Sequence, residues 1–108
     1  MWWGTGIEAL SALLNARRQG RLSASEADQS MARLRVLRKN WHEIEPSELV
    51  RSNAERMLRI HDLRAGDALQ LAAALIWCDM RPRDRAFVSA DVALSVAAEA
   101  EGFKVVQV

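Results

Sequence analysis

The stretch "LRAGDALQLAAALIW", Leu63–Trp77, decides the fold class of this chain and raises its main functional question. From position 65 onward it is apolar except at Gly66, Asp67 and Gln70, a pattern typical of a helix buried on most of its circumference. An ionised carboxylate in an apolar setting is costly unless it is paired, hydrogen-bonded or bound to a metal. Asp67 is therefore either a helix cap or a working acid.

Apolar residues at helical spacing predict three further helices before this stretch. The predicted spans are about 5–17, 23–40 and 49–58. Ser23 and Glu26 match a capping box at the start of the second helix, and Gly20 matches a helix stop. The apolar "MWW" at the start and "WHEIEP" at 41–46 are predicted as the end of a strand and a short edge strand.

The pattern changes after Pro82, where two short apolar runs flank a helical one. "RAFVSAD" and "FKVVQV" are typical of strands, and "VALSVAAEAEG" between them is typical of a helix that stops at Gly102. A strand, helix and strand in this order form a βαβ unit with parallel strands. The predicted fold class is therefore α/β, helix-rich with a short parallel sheet.

Composition narrows the function classes. With 108 residues the chain has room for one small domain, and its net charge of +1 predicts no overall attraction to polyanions. The segment 17–39 is locally basic, with seven basic residues against two acidic ones, and is either a solvated helical face or a track for backbone phosphates.

Cysteine usage and the apolar runs favour a cytoplasmic protein. Cys78 is the only cysteine, so no intramolecular disulfide can form, and we expect it to be a core side chain. The longest apolar run, Leu71–Cys78, is too short to span a bilayer, and no secretion signal is evident. We therefore expect no membrane association.

Three acids lie at or just before predicted helix starts: Glu8, Asp67 and Asp91. Glu8 and Asp91 also follow the carboxyl ends of predicted strands, the edge of an α/β sheet where ligands bind. Clustered carboxylates would suit a hard divalent cation. Capping explains the same residues, because Thr5 and Glu8 match a capping box and Asp is a preferred N-cap. The residues alone leave both interpretations open.

Three blocks of sequence, in this order, resemble the PIN-domain family, in particular the VapC-like toxins of bacterial toxin-antitoxin pairs. The blocks are "TGIEALSAL" at 5–13, "LRAGDALQLAAAL" at 63–75 and "FVSADVALSVAAEAEGFKVV" at 87–106. The resemblance covers almost the whole chain, which it identifies as a single PIN-like domain over 1–108. It implies a three-layer fold and a ribonuclease that uses Mg²⁺ or Mn²⁺.

The resemblance also assigns roles to individual residues. The family's metal-binding and catalytic acids fall on Glu8, Asp67 and Asp91, with Thr5 and Ser89 as supporting hydroxyls. The family domain begins with a central strand that ends in a further aspartate, so we expect this chain to be N-terminally incomplete, lacking that strand. Its activity would then be impaired.

The expected partners follow from the same resemblance. They are an RNA substrate and a cognate VapB-like antitoxin, and the candidate contacts for RNA phosphates are Arg17, Arg18, Arg21 and Arg64. His42 and His61 are interpreted as structural or surface residues. The alternatives are an inactive, degenerate toxin that still binds an antitoxin, or an inert remnant.

An absent central strand also has a consequence for assembly. The flanks of "FVSA" and "MWW" would expose unpaired backbone groups and apolar faces, which invite pairing with another chain. We therefore expect a homo-oligomer.

Overall fold

A computed structural model describes all residues, 1–108. The contacts within the chain group these residues into two compact units. One unit contains Trp3–Glu43 together with Met1, and the other contains Ile44–Val108 together with Trp2. Both units contain helices, but only the second contains a sheet.

The first unit consists of two helices that pack against each other, α1 (Thr5–Arg18) and α2 (Ala24–Arg38). After α1 the chain turns at Gly20, whose φ of 74° lies in the region that a residue without Cβ adopts freely. The predicted capping box of α2 is confirmed: the Glu26 amide donates to Ser23 Oγ at 3.1 Å, and the Ser23 amide donates to Glu26 Oε1 at 3.1 Å.

The interior of this helical pair is small. Ala27 is fully buried, Leu34 is partly buried, and Leu37 is 60% exposed, so only part of the predicted apolar stripe of α2 is covered within the unit. Gly6 is buried, and the Arg38 guanidinium lies so close to it that an added Cβ would stand 2.8 Å from Arg38 Cζ. A larger residue at position 6 would therefore displace Arg38.

The second unit contains three helices and two strands. They are α3 (Glu48–Ile60), α4 (Ala65–Trp77), β1 (Ala86–Ser89), α5 (Val92–Glu101) and β2 (Lys104–Gln107). Helix α3 begins where Ser47 Oγ accepts the Val50 amide at 3.2 Å, which satisfies one of the free N–H groups of the first turn. None of the five helices of the chain combines the length and the apolar character that a membrane crossing requires.

The core of this unit forms mainly between α3 and α4. The largest fully buried side chains are those of Met57, Leu71, Leu75 and Val50. Cys78 is buried beside them and its thiol donates to the Leu75 carbonyl, which agrees with its predicted core position. Burial of these side chains fixes the orientation of α4, and thereby of the acid in its first turn.

The predicted βαβ unit is confirmed. Strands β1 and β2 are parallel, with Val88 opposite Val106, and α5 connects them. Helix α5 is followed by its C-cap, Gly102, whose φ of 108° favours glycine. The chain is thus a helix-rich α/β protein with a short two-stranded parallel sheet, and the three-layer PIN-like arrangement with its missing central strand stays a prediction.

The two N-terminal strand predictions were wrong. "MWW" and "WHEIEP" contribute only a single isolated bridge, between Trp2 and Ile44. The chain turns at Gly4 and begins α1 immediately afterwards, so no residues remain on that side to extend a ladder. On the other side Pro46 lacks the amide that a further ladder bond requires.

Candidate active site

Two of the three predicted acids line one cavity. It lies in the unit formed by Ile44–Val108 and has a volume of about 690 Å³. Its lining consists of Asp62, Leu63, Arg64, Gly66, Asp67, Asp91 and Ala93. The start of α4 supplies Asp67, and the junction of β1 and α5 supplies Asp91. Asp91 thus lies at the carboxyl end of β1, the edge of an α/β sheet where ligands bind.

Asp67 does not occupy the N-cap position of α4. Arg64 takes that position with extended backbone, and no side chain caps the helix, so the N-cap interpretation of Asp67 was wrong. Burial raises the pKa of the Asp67 carboxyl, and the negative charge of Asp91 raises it further. The charge and backbone of Arg64 act in the opposite direction without cancelling these effects. Asp67 is therefore an acid held in a setting that disfavours its charge.

Asp91 caps α5 with only one of its two carboxylate oxygens. Its Oδ1 accepts the Leu94 amide at 2.8 Å, so the N-cap interpretation is confirmed for this residue. A carboxylate has two oxygens with about four acceptor positions, and the cap uses one of them. Capping fixes the carboxylate at the cavity without excluding a cation.

Ser89 supports Asp91 through the backbone. Its Oγ accepts the Asp91 amide at 3.0 Å and donates to the Asp91 carbonyl at 3.1 Å. Ser89 is buried at the end of β1, so the sheet holds this turn in place. The Ser89 hydroxyl thus acts on the conformation of the β1–α5 turn, and the catalytic supporting role that the resemblance implies stays a prediction.

The donor set of the cavity suits a magnesium-like cation better than a softer metal. Two like-charged carboxylates lie close enough for one to raise the pKa of the other, and a divalent cation would relieve that repulsion. Within Ile44–Val108 no group of three or more His, Cys, Asp or Glu side chains is arranged to hold a metal ion. Mg²⁺ fits such a site because it takes one or two protein carboxylates and fills its other positions with water or substrate.

The third predicted acid lies in the other unit. Glu8 is exposed in the first turn of α1, and its convergence with the two aspartates stays a prediction. The Thr5–Glu8 capping box is absent, because Gly4 is the N-cap and no side chain caps the helix. Thr5 Oγ1 is buried without a hydrogen-bond partner. Neither side chain is therefore engaged in capping α1.

Of the four arginines expected to contact RNA, one lines the cavity. Arg64 stands beside the two aspartates, whereas Arg17 and Arg18 end α1 and Arg21 follows it. All four are exposed. The phosphate contacts predicted for the three residues of the first unit stay predictions.

Asp62 also lines the cavity, although no sequence pattern indicated it. It lies in the short connection between α3 and α4, one residue before the stretch that indicated the buried helix. Helical periodicity carries no information about the direction of a side chain in a connection. No signal in the sequence separated Asp62 from the other exposed acids.

A second polar cluster joins the carboxyl ends of α3 and α5. Glu101 Oε2 lies 2.8 Å from His61 Nε2, and Glu101 Oε1 accepts a bond from Arg56 at 3.0 Å. Burial works against the charge of Glu101, but the bonds from His61 and Arg56 outweigh it, so the pKa of Glu101 is lowered. His61 thus has a structural partner, and His42 is exposed, in line with the predicted surface or structural roles.

Comparison with protein-family models, with curated proteins and with solved structures gave no match.

Proposed function

We propose that this chain is a metal-dependent ribonuclease of the PIN type and the toxin component of a toxin-antitoxin pair. The observation that carries the proposal is the placement of Asp67 and Asp91 on one cavity at the carboxyl edge of the sheet. The resemblance of three sequence blocks to the family supports the substrate class and the biological role. Asp67 and Asp91 would hold Mg²⁺ or Mn²⁺, with Glu8 as a further proposed ligand.

The roles of the residues follow from their surroundings. The chemistry that a bound divalent cation supplies is polarisation of a phosphodiester and activation of water for hydrolysis. Asp67 and Asp91 both line the cavity, and the Leu94 amide and the Ser89 hydroxyl restrain Asp91 in place. No nucleophilic side chain is required for this reaction.

A cleavage assay tests the proposal. The full chain is incubated with a fluorescent single-stranded RNA in Mg²⁺ or in chelator, next to the variants Asp67→Asn and Asp91→Asn. Asp84→Asn is the matched control, because Asp84 is an exposed acid of the same unit that does not line the cavity. We expect only weak Mg²⁺-dependent cleavage, in keeping with the impaired activity that the resemblance implies, and we expect both cavity variants to lose it and the control to retain it.

Two outcomes would overturn the proposed activity. Cleavage that persists in chelator, or that Asp67→Asn and Asp91→Asn leave unchanged, would assign the activity to other residues or to a contaminant. A chain that binds Mn²⁺ without cleaving any RNA would favour the alternative of an inactive toxin that retains antitoxin binding.

The toxin role is tested in cells. Expression of the chain is expected to slow the growth of a bacterial host, and Asp67→Asn is expected to restore growth at equal protein level. Co-expression of a cognate antitoxin of the VapB type should restore growth as well and should yield a stable complex. A slowing of growth by Asp67→Asn equal to that caused by the parent chain would contradict a toxicity that depends on cleavage.

We also propose a homo-oligomer. In the two-stranded sheet each strand has an unpaired edge, and Val88 and Val106, opposite each other, are 64% and 45% exposed. Open edges and apolar faces favour association. Light scattering at micromolar concentration is expected to give at least twice the mass of the chain, and a sharp monomer peak would contradict this.

A further inference from the structure

The cavity contains one basic side chain, Arg64, among three aspartates. Its backbone is extended at the N-cap of α4, which places the residue at the wall of the cavity and outside the helix. The side chain is exposed and forms none of the four ion pairs of the structure. Its positive charge nevertheless acts on the Asp67 carboxylate.

In this arrangement the Arg64 guanidinium and a bound divalent cation would both lie next to the cavity aspartates. A divalent cation held by Asp67 and Asp91 would share the cavity with the Arg64 guanidinium, and like charges at close range repel each other. An RNA phosphate next to Arg64 would neutralise that charge. The guanidinium is also well suited to a phosphodiester, because its planar donors match two phosphate oxygens.

We infer that Arg64 binds a phosphate of the RNA strand at this cavity and, while RNA is absent, opposes cation binding by Asp67 and Asp91. This inference rests on the proposed ribonuclease function. Binding of RNA and of the cation are then coupled, and by thermodynamic linkage each strengthens the other by the same factor. Arg64 thereby gives the site a higher affinity for its metal when substrate is bound than when it is absent.

The test compares Arg64→Gln with Arg59→Gln, which removes the same charge from an exposed arginine of α3 that does not line the cavity. RNA binding is measured by fluorescence anisotropy of a labelled single strand in Ca²⁺, at several salt concentrations. Mn²⁺ binding is measured by calorimetry without RNA. Arg64→Lys is the conservative variant, because it keeps the charge but loses the planar donors.

We expect opposite changes in the two affinities. Arg64→Gln should lower RNA affinity about tenfold and reduce the slope of log affinity against log salt by about 0.7, the value for one phosphate contact on a single strand. The same variant should raise Mn²⁺ affinity about threefold through the loss of repulsion. Arg64→Lys should recover part of the RNA affinity, and Arg59→Gln should leave Mn²⁺ affinity unchanged.

The outcomes separate this inference from the function on which it rests. If Arg64→Gln matches Arg59→Gln in both titrations while the parent chain cleaves RNA, the role of Arg64 is refuted and the ribonuclease stands. If the parent chain binds no RNA in Ca²⁺ and cleaves none in Mg²⁺, both are refuted. A parallel loss of RNA and Mn²⁺ affinity in Arg64→Gln would indicate a structural role and would also overturn the inference.

Discussion

Replacing Glu101 by glutamine is expected to lower the free energy of unfolding of the chain by about 2 kcal/mol at pH 7. The Glu101 side chain is 11% exposed and His61 is 14% exposed, so the bond between them is largely shielded from water. We assign it about 1.5 kcal/mol, the lower end for a bond to a charged group. Arg56 is 43% exposed, so its bond is discounted to about 0.5 kcal/mol.

The assay is urea unfolding followed by circular dichroism, with Glu55→Gln as the control. Glu55 pairs with Arg59 at 3.9 Å between side chains that are 54% and 76% exposed, so its loss should change stability by less than about 0.5 kcal/mol. Because the pKa of Glu101 is lowered in the folded chain, its stabilisation is present above the ordinary glutamate pKa and is lost as pH falls through the folded-state value.

The difference between Glu101→Gln and the parent chain should therefore shrink in acid. Equal destabilisation by Glu101→Gln and Glu55→Gln at pH 7 would refute the reasoning, because the buried cluster would then contribute no more than an exposed pair. A difference that stays constant down to strongly acidic pH would show that the charge of Glu101 is not its source.

Three further changes probe the core and the cavity. In chelator at pH 7, Asp67→Asn should be more stable to urea than the parent chain, because the pKa of Asp67 is raised and its charge therefore destabilises the folded chain above that pKa. The gain in stability should vanish in acid, and a loss of stability at pH 7 would contradict this reasoning. Leu71→Ala should cost about 3 kcal/mol in the same assay, since Leu71 is fully buried, and a cost below about 1 kcal/mol would contradict its core position. Ser89→Ala should cost about 1 kcal/mol and weaken Mn²⁺ binding at Asp91, whereas Ser89→Thr should retain binding; calorimetry showing unchanged binding in Ser89→Ala would remove its supporting role.

Local signals predicted most of the fold. The five helices were each indicated by apolar spacing or a stop residue, and Ser23, Glu26 and Gly102 act as their residue types predict. The predictions of two N-terminal strands were wrong. Strand pairing depends on partners distant in sequence, and a short apolar run carries no information about those partners. The division into two units was not foreseen for the same reason.

The site was predictable only in part. Asp91 was recognisable because a cap residue directly after a strand has a defined place at the edge of the sheet. Asp67 was recognisable only because a charged residue stands out in an otherwise apolar helix. The pairing of Glu101 with His61, 40 residues apart, depends on how α3 and α5 pack, so no local pattern could indicate it.

The most direct test of the central claim is the position of Mn²⁺ in a crystal of the full chain, located by anomalous scattering. The proposed site predicts a peak within bonding distance of one carboxylate oxygen of Asp67 and one of Asp91, and its loss in crystals of Asp67→Asn. A crystal grown at a Mn²⁺ concentration that saturates binding in solution, with no peak between these two carboxylates, would contradict the claim that they share a cation.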